Sequence, residues 1–241
     1  MSLIYGKNTV ANALAHNDGV QRVWIGTSFK DDRIFRLLKE KKIPFQAVSS
    51  EELGRMAHRA VHQGIVAEVK EYAYLSLNEI IEKNKDDDRA LLVLLDAIED
   101  PHNLGAIVRS VDAFGGNGII IGANRQVEIT PTVAKVSTGA IEYVDVCQTV
   151  NLHQAVLRLK EAGYWIVSSD GEAKRDYRDV DYRTKIVLIV GSEGKGIRPL
   201  LLKNSDYTVR IPMIGHVNSL NASVACAVFL SQIFSQRNPL K

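Results

Sequence analysis

Residues 100–110 read DPHNLGAIVRS, and this stretch decides the fold. Residues 90–96 before it (ALLVLLD) form an apolar run that is typical of a buried strand. After it, apolar residues recur every three to four positions, which predicts a helix with one face turned inward. We expect Asn103 to cap that helix, with Arg109 about 9 Å further along its axis. A strand, a turn and a helix N-terminus are typical of a ligand site at the carboxyl edge of an α/β sheet. A structural cap followed by a solvent-exposed arginine would use the same residues.

The composition indicates a soluble globular protein with a sizeable core, because 46% of the 241 residues are hydrophobic and 24% are charged. Residues 1–70 contain 11 Lys and Arg against 7 Asp and Glu, which permits a nucleic-acid partner. Cys147 and Cys226 provide neither a disulfide framework nor a metal site. We find neither a signal-peptide pattern nor an apolar run of membrane-spanning length, and we therefore expect a cytoplasmic protein without a membrane partner.

Residues 1–70 are predicted to form a small three-layer unit of αβαβαβ order with its own core. The predicted helices and strands alternate along the chain at residues 5–15, 20–26, 31–42, 44–48, 50–56 and 64–70.

Basic and polar residues in this unit allow two interpretations. Lys7 and Asn8 open the first predicted helix, and His58, Arg59 and His62 precede the last strand. They could form a basic rim that faces RNA, or they could be ordinary surface residues. A metal site is not favoured, because acidic or cysteine partners at ligand spacing are missing from the neighbouring sequence.

Residues 71–89 combine a short potential helix with a dense charge run, which predicts a linker. Residues 90–241 then alternate apolar runs with helical segments, which predicts a mostly parallel sheet covered on both faces. The predicted strands are 90–96, 118–122, 143–149, 164–169, 185–191 and 207–213, and the predicted helices are 103–114, 130–138, 152–162, 198–203 and a last helix from 219.

That last helix (SLNASVACAVFLSQIF) is apolar over most of its circumference, whereas a surface helix would keep one polar face. It must therefore be buried on more than one side. A dimer interface would explain this pattern, and so would wrapping of the helix within one chain.

Two further loops carry polar residues. Residues 191–199 (GSEGKGIRP) are not a dinucleotide fingerprint, because Pro199 stands where Gly or Ala is needed, and not a P-loop, because Lys195 is followed by glycine. Glu193 would repel phosphate, so a ligand should be neutral or cationic there. Residues 211–223 (IPMIGHVNSLNAS) form the other loop, and helix capping accounts for only one of its two polar residues Ser219 and Asn221.

These three loops, in this order, resemble the motifs of the SpoU/TrmH family of RNA ribose 2′-O-methyltransferases. The family motifs are Asn-x-Gly-Ala-x-x-Arg, Gly-x-Glu-Gly and Ile-Pro-Met…Ser-Leu-Asn-x-Ser, and they stand here at residues 103–109, 191–194 and 211–223. The DPHNLGA form and the length of the N-terminal module look most like the bacterial branch that methylates a guanosine of 23S rRNA.

The resemblance implies an α/β fold with a deep trefoil knot in the C-terminal part, an exception to the rule against threaded chains. It implies an L30e-like RNA-binding domain over residues 1–70 and a catalytic domain over residues 90–241 that binds S-adenosylmethionine and forms a homodimer. Backbone groups of Gly191, Ile211 and Leu220 should hold the cofactor. The residues implied at the reaction site are Asn103, Arg109, Glu193, Ser219 and Asn221.

A chemical hypothesis follows from this resemblance. A ribose 2′-hydroxyl is a poor nucleophile, so most of the rate gain must come from positioning and from stabilising the developing oxyanion. Arg109 is a poor base because an arginine guanidinium stays protonated in proteins. We expect it instead to bind the adjacent phosphate and to stabilise the alkoxide, while Asn103 orients it. Two alternatives stay open: transfer RNA as the substrate, and a non-catalytic RNA-binding protein that retains the fold.

Overall fold

The structure is a computed structural model that describes residues 2–16, 19–69 and 72–239. It divides into two compact units, Met1–Ala73 and Tyr74–Lys241. The chain thus has a small N-terminal and a larger C-terminal α/β unit, in agreement with the predicted fold class.

The N-terminal unit contains a four-stranded sheet in the order β1-β4-β2-β3, in which only β2 and β3 are parallel. Two helices, α1 and α2, pack on one face of it, and α3 packs on the other. The elements are β1 (Ser2–Tyr5), α1 (Lys7–His16), β2 (Val20–Gly26), α2 (Asp32–Glu40), β3 (Phe45–Val48), α3 (Ser50–Met56) and β4 (Ile65–Val69).

The first strand of this unit differs from the prediction, which placed Tyr5 at the start of a helix. Tyr5 instead ends β1, which pairs with β4, and the chain turns at Gly6 (φ +93°) before α1 begins at Lys7. A left-handed backbone conformation of this kind favours glycine. The strand escaped prediction because four residues are too few to show a periodic pattern.

The C-terminal unit contains a seven-stranded sheet in the order β7-β6-β5-β10-β8-β11-β9, and every strand pair is parallel. The predicted parallel sheet is thereby confirmed. Its elements are α4 (Leu77–Lys83), β5 (Leu91–Asp96), α5 (Pro101–Ala113), β6 (Gly118–Gly122), α6 (Pro131–Val136), β7 (Asp145–Thr149), α7 (Leu152–Glu161), β8 (Trp165–Ser169), β9 (Arg175–Asp176), β10 (Ile186–Gly191), α8 (Pro199–Lys203), β11 (Tyr207–Arg210) and α9 (Ala222–Arg237).

The central strands are buried on both faces, which explains their continuous apolar sequences. All six residues of β5 and the first five of β10 are buried. On one face, α7 and α8 cover the sheet, with Leu159 and Leu201 in the core. On the other, α5 contacts both α6 and α9.

Part of the predicted linker belongs to the C-terminal unit. Leu75 forms a bridge with Cys147 at the edge strand β7, and Ile80 of α4 is fully buried in the core. The reason is apolar spacing: Leu77, Ile80 and Ile81 lie on one face of the short helix and pack against the sheet. The dense charge run that follows α4 stays on the surface.

The strand order indicates where a ligand site lies in the C-terminal unit. From β5 the chain builds outward through β6 and β7, and β8 then begins on the opposite side, with β10 between β5 and β8. A reversal of this kind opens a crevice at the carboxyl ends of the strands. The loops that follow β5, β10, β8 and β11 all begin at this edge. Within the described ranges, none of the helices combines the length and the apolar character that a bilayer crossing requires.

Candidate active site

A cavity opens at this edge of the C-terminal unit. A cavity at the carboxyl ends of the strands is the usual place for a small-molecule site in an α/β sheet. The loops after β8, β10 and β11 and the first turns of α9 supply the lining. The lining residues are Ser169, Asp170, Gly171, Val190, Gly191, Ser192, Glu193, Gly196, Val209, Arg210, Ile211, Met213, Asn218, Ser219, Leu220, Ala222, Ala225 and Phe229.

The cavity brings together the three residues predicted to hold a cofactor, Gly191, Ile211 and Leu220. Ser219 and Glu193, predicted for the reaction site, also line it. Residues 169–171, after β8, were missed by the sequence reasoning. The available signal was their place, directly behind a buried strand in a parallel sheet.

Gly191 fixes the shape of the loop after β10. A Cβ atom at this position would lie 2.3 Å from the carbonyl carbon of Gly196 and 2.6 Å from the nitrogen of Ile197. The loop folds back on itself here, because the Gly196 N–H donates to the Ser192 carbonyl at 2.9 Å. Glycine at position 191 thus permits a backbone approach that any side chain would prevent.

A hydrogen-bonded cluster joins the three sequence motifs. Glu193 Oε1 accepts from the Asn103 amide at 3.1 Å, from the Asn221 amide and from the Ala222 N–H at 3.3 Å. The Asn221 amide also donates to Asn103 Oδ1 at 2.9 Å. Hydrogen bonds to an ionised acceptor are among the stronger ones in proteins. The carboxylate therefore ties the start of α5, the loop after β10 and the start of α9 into one arrangement.

The predicted cap of α5 was wrong. Asp100 caps the helix, because its carboxylate accepts from the His102 N–H at 2.8 Å, and Pro101 is the first helical residue. Proline suits this position because its missing N–H would have no intrahelical partner. Asn103 lies in the first turn, and its amide group bonds to Glu193 and Asn221.

At the start of α9, Ser219 and Asn221, the two polar residues of the third motif, have different roles. Asn221 is the N-cap, and its side-chain oxygen accepts from the N–H groups of Ser223 and Val224. Its amide nitrogen bonds to the cluster instead. Ser219 takes no part in the cap and faces the cavity. A single asparagine thus serves both the helix and the site.

Arg109 is not brought to this cluster within one chain. It is exposed, it does not line the cavity, and its side chain forms no ion pair or hydrogen bond with any residue in the described ranges. Asn103 has Glu193 and Asn221 as partners, so the expected orientation of Arg109 by Asn103 is not observed. The two residues are separated by about 9 Å along the helix and by about 240° around it.

A second hollow lies on the other side of Glu193. Its lining residues are Ala97, Ile98, Glu99, Asn103, Ser192, Glu193, Gly194, Lys195 and Ala222. Ser192, Glu193 and Ala222 therefore separate it from the first cavity. Ala97 has a left-handed backbone (φ +59°), and Gln126 accepts from the Ile98 N–H at 2.9 Å. Strain of this kind in a non-glycine residue is often found beside functional sites.

Asp96 anchors the far end of the loop after β10. It lies at the carboxyl end of β5 with 1% of its side chain exposed, and it accepts from Nε and the backbone N–H of Arg198, both at 2.8 Å. Arg198 itself is 60% exposed. The sequence reasoning missed this pair, although an acidic residue at the end of a buried apolar run was a visible signal.

The described residues offer neither a metal site nor a cysteine nucleophile. We find no group of three or more possible metal ligands among them. Burial raises the pKa of Cys147 and of Cys226 to about 12, so both thiols stay protonated at neutral pH. The groups that the site does present are carboxylate, amide, hydroxyl and backbone groups beside the cavity.

Two family models match the chain. The SpoU rRNA Methylase family matches residues 90–231, and a second model, described as RNA 2′-O ribose methyltransferase substrate binding, matches residues 3–75. Together they cover both units. The three sequence motifs and the cavity lie within the first match.

Similar proteins and structures agree with these matches. A "Putative TrmH family tRNA/rRNA methyltransferase" of Staphylococcus haemolyticus is 38% identical over 98% of this chain and 96% of its own length. The SpoU methyltransferase AviRb from Streptomyces viridochromogenes, in complex with AdoMet, shows 25% identity and a TM-score of 0.64 over 98% of this chain and 89% of its own. A TrmH/SpoU tRNA modifying enzyme of A. aeolicus is 30% identical, with a TM-score of 0.58 over 67% of this chain and 82% of its own.

Proposed function

The chain belongs to the SpoU rRNA methylase family, and from this membership we propose that it transfers a methyl group from S-adenosylmethionine to a ribose 2′-hydroxyl of structured RNA. The proposed target is a guanosine of 23S rRNA. The observation that carries the proposal is the cluster of Asn103, Glu193 and Asn221. It unites all three family motifs at the wall between a small-molecule cavity and a second hollow.

The first cavity fits S-adenosylmethionine. Gly191, Ile211 and Leu220 line it and present backbone groups for the adenosyl part, while Ala225 and Phe229 offer apolar surface. Glu193 at the rim suits a cationic sulfonium and disfavours phosphate. When bound, the cofactor supplies an activated methyl group on a positively charged sulfur.

The chain's own residues then position the hydroxyl. Glu193 holds Asn103 and Asn221 in place, so their amide groups are oriented before RNA arrives. Ser219 and Asn103 provide hydrogen-bonding groups on the two sides of the wall. Arg109 binds the phosphate next to the target ribose and stabilises the alkoxide, and the proton leaves through phosphate or water.

We propose that a second copy of the chain supplies Arg109, because within one chain its side chain does not line the cavity. Beside Arg109, between α5 and α9, runs an open groove with Ala106, Ser110, Val224 and Val228 in its lining. Val224 is 49% exposed and Phe234 of the same helix is 43% exposed, which is typical of a surface that a partner covers. We assign this groove to a homodimer in which Arg109 of one copy completes the site of the other.

Mixed dimers test this arrangement. Arg109→Ala inactivates one half of each site and Glu193→Ala the other, so each variant alone should be inactive. When the two are mixed, heterodimers that carry one intact site should regain methyl transfer. Mixtures that stay inactive although subunits exchange would show that Arg109 acts within its own chain or takes no part.

The N-terminal unit is the proposed RNA grip. The start of α1 and the loop before β4, which carry the basic residues, lie close together, because the backbone N–H of Lys7 donates to Gln63 Oε1 at 2.9 Å. His58, Arg59 and Gln63 all have left-handed backbones (φ +48°, +65° and +51°), which holds this loop in an irregular shape. A shaped loop with exposed cations suits recognition of folded RNA through its backbone and surface.

The C-terminal unit is proposed to carry the deep trefoil knot of its family. The support is topological. Strand β10 lies between β5 and β8 in the sheet although it follows both along the chain. The segments after β8 and after β10 line one cavity together with the loop after β11.

Methyl transfer to candidate RNAs tests the proposed reaction. Ribosomal and transfer RNAs are incubated with S-adenosylmethionine labelled in the methyl group, and the product is hydrolysed with alkali. A 2′-O-methyl group protects the adjacent phosphodiester, so the label should remain in one alkali-resistant dinucleotide of 23S rRNA. Label in a base would overturn the reaction type, and label in transfer RNA would overturn the substrate.

A further inference from the structure

Two aromatic side chains and one arginine side chain form a row on the outer strands of the C-terminal sheet. Trp165, Arg175 and Tyr207 are the first residues of β8, β9 and β11. The rings of Trp165 and Tyr207 lie 5.8 Å apart at an interplanar angle of 33°, and Cζ of Arg175 lies 5.1 Å from the centroid of Tyr207. We call these three residues the outer row.

The strand register explains why the outer row shares one face of the sheet. Tyr207 pairs with Val167, and Val209 pairs with Arg175. Side chains alternate along a strand, so Trp165 and Val167 point the same way, as do Tyr207 and Val209. The two valines are fully buried, whereas the indole of Trp165 is 46% exposed. The row therefore begins where the covering of this face ends.

The charge of Arg175 is available to a ligand. Two nearby arginines are neutralised instead: Arg178 pairs with Asp176 and Arg183 with Asp181, and these ion pairs lower the pKa of each aspartate to about 2. Within the described ranges, the side chain of Arg175 forms no ion pair and no hydrogen bond. Its guanidinium lies over an aromatic ring with its five donors uncommitted.

We propose that the outer row binds an unpaired base of the RNA substrate, an inference that rests on the proposed function. Exposed aromatic faces stack on nucleobases, and a guanidinium stacks on a base or binds the adjacent phosphate. A row that only covered the sheet edge would bury its largest ring, and Trp165 keeps nearly half of its surface exposed.

Only the Arg175 end of the outer row lies beside the first cavity. Val209, the strand partner of Arg175, and Arg210, the next residue, both line that cavity. Arg210 pairs with Asp176 across the strands and, by the same alternation of side chains, points to the face opposite the outer row. A nucleotide bound on the row therefore finds its free cation in Arg175. This arrangement gives the C-terminal unit an RNA contact of its own, apart from the N-terminal rim.

Tryptophan fluorescence tests the inference without methyl transfer. The chain has two tryptophans, so Trp24→Phe leaves Trp165 as the sole indole. This protein is titrated with oligoadenylate and, as a control, with an abasic oligomer of equal length that has the same phosphates. Stacking should quench the emission of Trp165 with the first probe and not with the second.

Variants separate stacking from folding. Trp165→Ala should weaken oligoadenylate binding by roughly 5- to 100-fold, whereas Trp165→Phe, which retains a stacking ring, should stay within about threefold. Arg175→Gln should weaken binding and reduce its salt dependence. In the methylation assay, Trp165→Ala should raise KM for RNA and leave KM for S-adenosylmethionine unchanged.

The outcomes distinguish this inference from the proposed function. Quenching by oligoadenylate in a protein that methylates no RNA would support the row and contradict the reaction. Equal quenching by the abasic oligomer, or an unchanged Trp165 emission in a protein that methylates RNA, would overturn the row. An emission that changes only with a protein partner would overturn it as well.

Discussion

Gly191→Ala is the sharpest test of how the cofactor loop is built. The new methyl group would lie 2.3 to 2.6 Å from the backbone of Gly196 and Ile197, atoms that cannot rotate away. Ordinary contacts of a Cβ atom begin at about 3.4 Å, so the loop must open by roughly 1 Å. A forced displacement of this size in a packed region costs about 1–3 kcal/mol.

This cost is divided between folding and binding. If the loop opens in the free protein, the cavity changes shape, and the dissociation constant for S-adenosylmethionine should rise by roughly 5- to 150-fold. If the loop stays closed, the free energy of unfolding should fall by about 1–3 kcal/mol instead. Calorimetric titration with the cofactor and denaturant unfolding measure the two parts, and their sum should lie in that range.

Gly194→Ala is the matched control in the same loop. A Cβ atom there meets nothing within 4 Å, so the free energy of unfolding should stay within about 0.5 kcal/mol of the original. If Gly191→Ala unfolds at the same denaturant concentration as the parent and binds the cofactor with equal affinity, the proposed close backbone approach is refuted.

Three further predictions concern the rest of the C-terminal unit and its helical packing. Asp96→Asn should weaken the anchor at Arg198 by about 1 kcal/mol, a small value because Arg198 is 60% exposed, and should raise KM for the cofactor more than it lowers kcat. Gly105→Ala, whose Cβ would lie 2.6 Å from a valine of α6, should lower the free energy of unfolding by about 1–3 kcal/mol. The helical control Gly54→Ala, with nothing within 4 Å, should raise it by up to about 1 kcal/mol. The pKa of Asp176 is lowered to about 2, so its contribution to stability is present above about pH 4 and lost as the pH falls towards 2. Acid titration of Asp176→Asn should show a flatter loss of stability over that interval, and an unchanged profile would contradict the ion pair.

The sheet of the C-terminal unit was predictable because its strands are continuous apolar runs. Gly118–Gly122 agrees with the predicted bounds, and the other predicted strands agree within a few residues at each end. The two-residue strand β9 could not be found, since its pairing depends on where β11 lies. The cap of α5 was misplaced although the Asp-Pro pair at residues 100–101 carried the correct signal.

The motifs could name candidate site residues but not the geometry that joins them. The motifs named Asn103, Glu193 and Asn221, yet the hydrogen bonds among them join positions up to 118 residues apart. Such contacts depend on β10 lying beside β5, which local patterns do not encode. The same limit applies to Arg109, whose helix was expected but whose direction relative to the cavity depends on how α5 packs.

The place of β10 in the sheet has a consequence for biosynthesis. Its hydrogen-bonding neighbours β5 and β8 do not touch each other, and β10 is synthesised about 95 residues after β5. A nascent chain that ends before Ile186 therefore carries two apolar strands with open edges, which invite pairing with other chains. A ribosome that stalls in this interval leaves an aggregation-prone fragment, and a chaperone that shields strand edges should act on this protein late in translation.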